Sequence, residues 1–173
     1  EIKGSWSENL NKTNETILEV KGLYSNNYLE DINFKLFKGE ILGFGGLVGA
    51  GRTELAMALF GAESIEKGDI LIKGKNVKIN STSEAIAAGI SMIPEDRKKH
   101  GILSELSVKN NIIFSSMKEL TKFTILDTKR VKEITLSFKK QLNIRTPDID
   151  RKVKFLSGGN QQKIVFGRWL QFL

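Results

Sequence analysis

The sequence contains no cysteine. Disulfides and thiolate metal sites are therefore excluded, and the chain fits a reducing compartment. It has one histidine, His100. A multi-histidine metal centre is excluded too, and His100, in a run of basic residues, reads as a solvated loop residue. Long apolar runs are also missing. The longest weakly polar stretch, ILGFGGLVGAG, falls short of the about 20 residues a membrane span needs and is broken by glycines. The amino end, EIKGSWSENL, lacks the apolar core of a signal peptide. It begins at Glu1, and the carboxy end, GRWLQFL, stops inside an amphipathic pattern. Both ends read as cuts from a longer polypeptide. There is no internal repeat and no low-complexity tract.

What is present is ordinary in amount and uneven in placement. The 173 residues suffice for one domain with a sizeable core, and 40% hydrophobic with 27% charged residues is usual for a soluble globular chain. The net charge is +7. Residues 1–96 carry 10 Lys/Arg and 14 Asp/Glu, net −4; residues 97–173 carry 17 and 6, net +11. A basic half of this kind is either a solvated helical surface or a face for nucleic acid or anionic headgroups.

Patterning divides the chain further. Residues 1–15 are polar and read as a linker or disordered end. ILEVKGL (17–23) alternates as a strand does, and LEDINFKLFKGE (29–40) follows as a second, with Ile32, Phe34 and Leu36 on one face. ILGFGG (41–46) and ISMIPE (90–95) are short apolar runs that predict strands buried on both faces. GRTELAMALFG (51–61) predicts a helix stopped by Gly61. KGDILIKGKNVKI (67–79) predicts a hairpin turning at Gly74-Lys75. SEAIAAG (83–89) predicts a helix capped by Ser83 and ended by Gly89. Further helices are expected over 107–117 and 127–144, the latter with Val131, Ile134, Leu136, Phe138 and Leu142 along one side. Strands first and helices later imply an α/β core with a helical subdomain.

The run GGLVGAGRTEL resembles a phosphate loop with an altered cation. Gly46, Gly51 and Thr53 fit the spacing G-x-x-x-x-G-K-[ST], but position 52 is Arg. Gly46, Gly49, Ala50 and Gly51 leave backbone N–H groups free to converge on phosphate, and the helix starting at Arg52 aims its positive end there. The Thr53 hydroxyl sits where Mg²⁺ is held. The planar fork of Arg52 cannot occupy the point that a lysine ammonium would, though it still attracts phosphate. Glu54 adds a carboxylate close by. Phosphate binding is therefore expected to survive better than catalysis.

A second glycine-bearing helix start lies far along the chain, in FLSGGNQQKIVFGRWL (155–170). A hydroxyl, two glycines and a helix N-terminus make another anion site, or merely a capped helix. Taken with the first motif, LSGGNQQK resembles the signature of ATP-binding cassette (ABC) domains, in the form seen in sugar importers whose ATPase subunits hold two cassettes. The segment from ILEVKGL to GRTEL is similar to the start of the second, C-terminal cassette of ribose- and galactose-type importers. GISMIPEDRKKHGILSELSVKNNI (89–112) resembles its Q-loop region, with Glu95 where Mg²⁺ and the attacking water are normally met. The resemblance covers about residues 17–172.

That resemblance implies a P-loop NTPase core with an antiparallel β subdomain, residues 16–96, a helical subdomain, 97–155, and the signature with its helix, 156–173. It implies ATP and Mg²⁺ as ligands, Mg²⁺ touching Thr53 and Glu95. Adenine in such cassettes stacks on an early aromatic; Tyr24 and Tyr28 are the candidates, or are plain strand-edge aromatics. Trp6 and Trp169 are assigned to packing or the linker. Leu156, Ser157, Gly158, Gly159, Asn160 and Gln161 would cap a nucleotide held by the first cassette of the same polypeptide. Permease subunits would be direct partners, a periplasmic or extracellular sugar-binding protein an indirect one, and the location the cytoplasmic face of the membrane. The family's metal-binding Asp, water-polarising Glu and phosphate-sensing His would follow Leu173, so the chain as it stands is expected to lack the general base and to be inactive alone. Two alternatives are a nucleotide-binding regulatory module that never hydrolyses, and a nucleic-acid-associated ATPase of the same fold; no nucleic-acid partner is expected, because the basic half lacks interleaved aromatics.

Overall fold

A computed structural model describes residues 12–25 and 28–172. Trp6 and most of the expected 1–15 linker lie outside the described residues. The chain divides into two compact units at Ser91/Met92, a little before the expected boundary at residue 97. The signature helix belongs to the second unit together with the other late helices.

The first unit is built on an antiparallel sheet of order β2-β1-β3-β4. Its strands are β1 (Thr16–Ser25), β2 (Leu29–Phe37), β3 (Lys67–Ile72) and β4 (Lys75–Val77). Val20 and Leu23 are both buried although they are three residues apart, which strict alternation forbids. The pairing of β1 shifts register between them, and Gly22, at φ 54°, sits in the shift. Such a bulge re-phases the strand and returns both side chains to one face. That face packs against Leu55 and Ala58 of α1 (Arg52–Leu59) and Ala85 of α2 (Thr82–Ala87). Burial of each large apolar side chain here contributes about 1.5–3 kcal/mol.

Three local expectations are corrected. The β3–β4 turn is Lys73-Gly74, one residue earlier than expected, with φ 48° and 76°, the two left-handed positions of a type I′ turn. The cap of α2 is Ser81, whose hydroxyl accepts from the Glu84 amide at 3.3 Å, rather than Ser83. The Glu84 carboxylate reaches back to the Asn80 amide at 2.7 Å, close to a capping box. Neither 41–46 nor 90–95 forms a strand. An apolar run becomes a strand only when a neighbour takes its backbone hydrogen bonds, and among the described residues none pairs with either. Residues 41–50 are exposed, Ile41 by 85%.

The second unit opens with a π-helical turn, Arg97–Gly101, capped by Asp96. Then come α3 (Val108–Ile113), a two-residue hairpin of β5 (Thr121–Lys122) and β6 (Ile125–Leu126), α4 (Thr128–Gln141) and α5 (Gly158–Trp169). Val108 and Ile112 of α3 pack with Ile164 and Val165 of α5, while Ile113 packs with Val131 of α4. In α4 the expected stripe is right except at Leu136, which is exposed; Thr135 is buried instead and bonds the Val131 carbonyl at 2.7 Å. Five residues from Val131 is about 140° round the helix at 100° per residue, whereas four is about 40°.

One polar knot lies inside this unit. Asn111, buried on α3, accepts from the Leu103 amide at 2.8 Å and donates to the carbonyls of Leu103 and Ser107. Buried Arg168 of α5 donates Nε to the Asn111 carbonyl at 2.9 Å and Nη2 to its Oδ1 at 3.1 Å. Burial pushes the Arg168 pKa down, since desolvation penalises the charged form. From α3 the backbone of 104–109 runs antiparallel to 149–154, with Val153 N bonding Leu106 O at 3.0 Å, and this pairing delivers the chain to the signature.

Candidate phosphate-binding sites

The loop before α1 is shaped by where a side chain cannot go. Gly51 is the N-cap, at φ 77°, and no side chain caps the helix. A Cβ there would lie 3.1 Å from the Tyr28 carbonyl and 3.3 Å from Leu29. Gly49 is left-handed too, at φ 84°, and faces open space. A Cβ on Gly46 would stand 2.9 Å from the Ala50 Cβ, with Cδ and Nε of Arg52 at 3.9 Å. Arg52 therefore folds back toward the first glycine of the loop instead of following its helix outward. Ala50 N bonds Leu47 O at 3.1 Å and closes the turn. Arg52 and Thr53 are exposed at the positive end of α1, with Glu54 in the same first turn.

These residues fit a nucleotide phosphate with its Mg²⁺. A Cβ at 46 would crowd the turn against Ala50 and one at 51 would meet Tyr28 and Leu29, so both glycines keep the loop narrow, and Arg52 supplies a cation. Among the described residues no cluster of three or more His, Asp or Glu could hold a metal by itself. Mg²⁺ is usually bound by few protein ligands plus phosphate oxygens, and Thr53 offers a hydroxyl. Glu95 is exposed and belongs to the second unit.

The two tyrosines part company. Tyr28 is 68% exposed, and its own backbone carbonyl abuts Gly51. Tyr24 lies on β1 with Lys67 Nζ 5.8 Å from its ring centroid, so one face is already covered.

The signature begins as α5 begins. Ser157 occupies the N-cap, but its hydroxyl accepts from Asn160 Nδ2 at 2.9 Å and caps no backbone amide. Asn160 is itself held, its Oδ1 accepting from the Arg145 amide at 2.8 Å. Gln161 is buried and turns inward, donating to the carbonyls of Val153 and Leu156 at 3.2 Å each. Leu156 packs on the core. Leu156 and Gln161 are thus anchors. Ser157 and Gly159 are exposed, and the Cβ position of Gly159 meets nothing within 4 Å. The arrangement presents a hydroxyl and uncapped first-turn amides on a firmly packed helix, which is the chemistry of an anion site.

Two features escaped sequence reading. The turn at Arg97–Gly101 lies beside the signature; Asp96, accepting from the Lys98 and Lys99 amides, was its available signal. Those backbone bonds, with Lys99 and His100 nearby, hold the Asp96 carboxyl below its ordinary pKa. The β5–β6 turn has φ 47° at Phe123 and 68° at Thr124, with no glycine or asparagine to announce it.

Comparison with known proteins places these features. The family profile described as "ABC transporter" matches residues 29–171. A putative ribose/galactose/methyl galactoside import ATP-binding protein of Burkholderia ambifaria is 45% identical over 158 residues, which is 91% of this chain and 31% of that protein. A ribose import ATP-binding protein of Rubrobacter xylanophilus is 46% identical over 157 residues, again 91% and 31%. The chain thus spans about a third of the length of the curated relatives it matches. Among solved structures, an ATP-binding cassette of an ABC transporter in its ADP conformation superposes with TM-score 0.71 at 19% identity, over 91% of this chain and 65% of that one. A bacterial Atm1-family ABC exporter with ATP bound gives 0.68 at 20%, over 92% and 28%.

Proposed function

This chain belongs to the ABC transporter family, and on that premise we propose that it is a nucleotide-binding cassette in a subunit that couples ATP binding and hydrolysis to import of a simple sugar of the ribose, galactose or xylose class. It is the second of two cassettes in that subunit. Its phosphate loop binds ATP with weak hydrolysis, and its signature completes the competent site of the first cassette. The import role of relatives at about 45% identity supports the substrate class. The observation that carries the division of labour is the contrast at position 52 against 157–159. The first locus has Arg where a compact ammonium is usual; the second presents an uncapped helix start with its flanking residues locked inward.

Gly46, Gly49, Ala50, Gly51, Arg52 and Thr53 hold the phosphates of the local nucleotide, Thr53 its Mg²⁺, and Tyr28 in preference to Tyr24 the adenine. Bound Mg²⁺ neutralises phosphate charge and orients the terminal phosphoryl group. Ser157, Gly158, Gly159 and Asn160 face the other nucleotide. Partners are the first cassette and the permease subunits, with a sugar-binding protein acting through the permease. The cassette's place is the cytoplasmic face of the membrane, beside those permease subunits. No helix among the described residues is long and apolar enough to cross a membrane.

ATP turnover by the full-length subunit tests this. Ser157→Arg should abolish most turnover, and Arg52→Lys should change it little. A large gain with Arg52→Lys and indifference to Ser157→Arg would refute the division. The regulatory reading, in which this cassette binds ATP and no site turns over, is favoured by Arg52 lying back across the loop with Glu54 beside it. It predicts no turnover in the intact subunit.

A further inference from the structure

Beside the signature stands a cation that the reading above does not use. A Cβ on Gly158 would lie 2.6 Å from Arg97 Nη2 and 3.5 Å from its Cζ. In an α-helix the Cα–Cβ bond tilts toward the N-terminus. The guanidinium therefore sits at the mouth of α5, not along its flank. Any side chain at the first glycine of the signature would displace the Arg97 guanidinium from this seat.

The position of Arg97 is fixed from behind. Asp96 caps the turn, Ile102 N bonds the Arg97 carbonyl at 2.8 Å, and the Cβ position of Gly101 is 3.2 Å from Arg97 Cβ and 3.3 Å from Val165 on α5. Gly158 and Val165, seven residues apart, lie on one face of α5. The turn thus grips that face at two points. Yet the guanidinium has no acceptor among the described residues, and its Nε is buried without a partner. The neighbouring carboxylate, Asp96, is spent on the Lys98 and Lys99 amides.

An unpaired guanidinium at the positive end of a helix is electrostatically unfavourable. Nothing in the packing requires a charge there. The unfavourable pair becomes favourable when an anion with several oxygens enters, taking the fork of Arg97 and the first-turn amides together. We infer that Arg97 is a further phosphate-binding residue of the signature, gripping the terminal phosphate of the nucleoside triphosphate presented to Ser157 and Gly159. This rests on the function proposed above.

The test uses the full-length subunit and equilibrium calorimetry with a slowly hydrolysed ATP analogue and with ADP. Arg97→Met keeps the stem and removes the charge. It should weaken analogue binding about tenfold or more, the worth of a charge-assisted hydrogen-bonded contact. ADP binding should stay unchanged, and the nucleotide-free protein should melt no lower than the parent. Arg97→Lys should fall between. Gly158→Ala should reproduce the loss, and the double variant should add nothing to it. Unchanged analogue binding, an equal loss for ADP, additive losses, or a lower melting temperature without nucleotide would each overturn the inference. If Ser157→Arg abolishes turnover while Arg97→Met binds normally, only this inference falls; if Ser157→Arg is silent, the functional reading falls with it.

Discussion

Asn111→Leu is the sharpest probe of what holds the signature helix in place. The substitution is nearly isosteric, so packing changes little, and its cost can be worked from hydrogen bonds. The carbonyl of Leu103 keeps its bond from Leu106 N, that of Leu106 keeps Val153 N, and that of Ser107 keeps the helical bond from residue 111. Arg168 Nε keeps the backbone carbonyl of 111. Two donors lose their acceptor outright: the Leu103 amide and Arg168 Nη2. Orphaning a buried amide costs about 1–3 kcal/mol and losing a hydrogen bond to a charged group about 1.5–3. Leucine recovers part by apolar burial, leaving about 3 kcal/mol. If the unit opens locally, that is roughly a 150-fold rise in amide exchange for α3 and α5. Hydrogen exchange by mass spectrometry should show it at 108–113 and 164–168, with β1–β4 unmoved. Adding Arg168→Met should restore the Arg168 part of the loss, because apolar replacement of both partners of a buried polar pair is often near neutral, while the Leu103 amide stays orphaned. A change below about threefold, or no recovery in the double variant, would refute the idea that the Asn111–Arg168 knot clamps α5.

Other expectations are smaller. Replacing Phe123-Thr124 by Asn-Gly should raise stability by about 1 kcal/mol, read as a higher urea midpoint, since both positions are left-handed and Phe123 is 96% exposed. Gly68→Ala should destabilise by about 2 kcal/mol or more, because its Cβ would fall 2.4 Å from the Gly22 carbonyl oxygen at φ 104°; exchange in β1 and β3 reports it. Glu105 is paired with Lys154 and Lys152, which hold its carboxyl below the ordinary 4.5. A depressed carboxylate pKa stabilises above the unfolded value and loses that contribution as pH falls through the folded one. Glu105→Gln should thus cost a small, salt-sensitive amount at pH 7, and its urea midpoint should converge on the parent's below pH 4.5.

What could be read in the chain follows from how locally each feature is determined. Ser107, Asp127 and Gly61 mark helix limits through bonds to neighbours three or four residues away, so α1, α3 and α4 were visible in the letters. Ser157 occupies a cap position as expected, but its hydroxyl is engaged by Asn160. Ser81 beat Ser83 because the helix starts where Glu84 can also reach back, a choice between two serines that composition does not make. The strands expected over 41–46 and 90–95 needed partners, and apolar content alone cannot supply a ladder. At the sites, both glycine motifs were legible as helix starts, with Arg52 at the first position of α1 and Ser157 at the N-cap of α5. The inward turn of Gln161 and the seat of Arg97 were not, because each depends on contacts between segments distant in sequence.

The two loci differ in what supports them, and that difference bears on how they could work. Gly46 to Ala50 belongs to an exposed loop whose preceding segment takes no sheet hydrogen bonds among the described residues. A loop of that kind sets the positions of its amides only as well as its own turn, Ala50 N to Leu47 O, allows. Ser157 to Asn160 is held by Gln161 to two carbonyls, by Asn160 to the Arg145 amide, and by Ile164 and Val165, both fully buried. Electrostatic stabilisation of a phosphate depends on donors fixed before the ligand arrives, since reorganising them costs what the contact gains. Within this chain the preorganised donors are at the signature. Under the function proposed above, a cassette so built would serve a nucleotide held by another phosphate loop irrespective of how well its own loop turned over, which is the asymmetry that Arg52→Lys and Ser157→Arg separate.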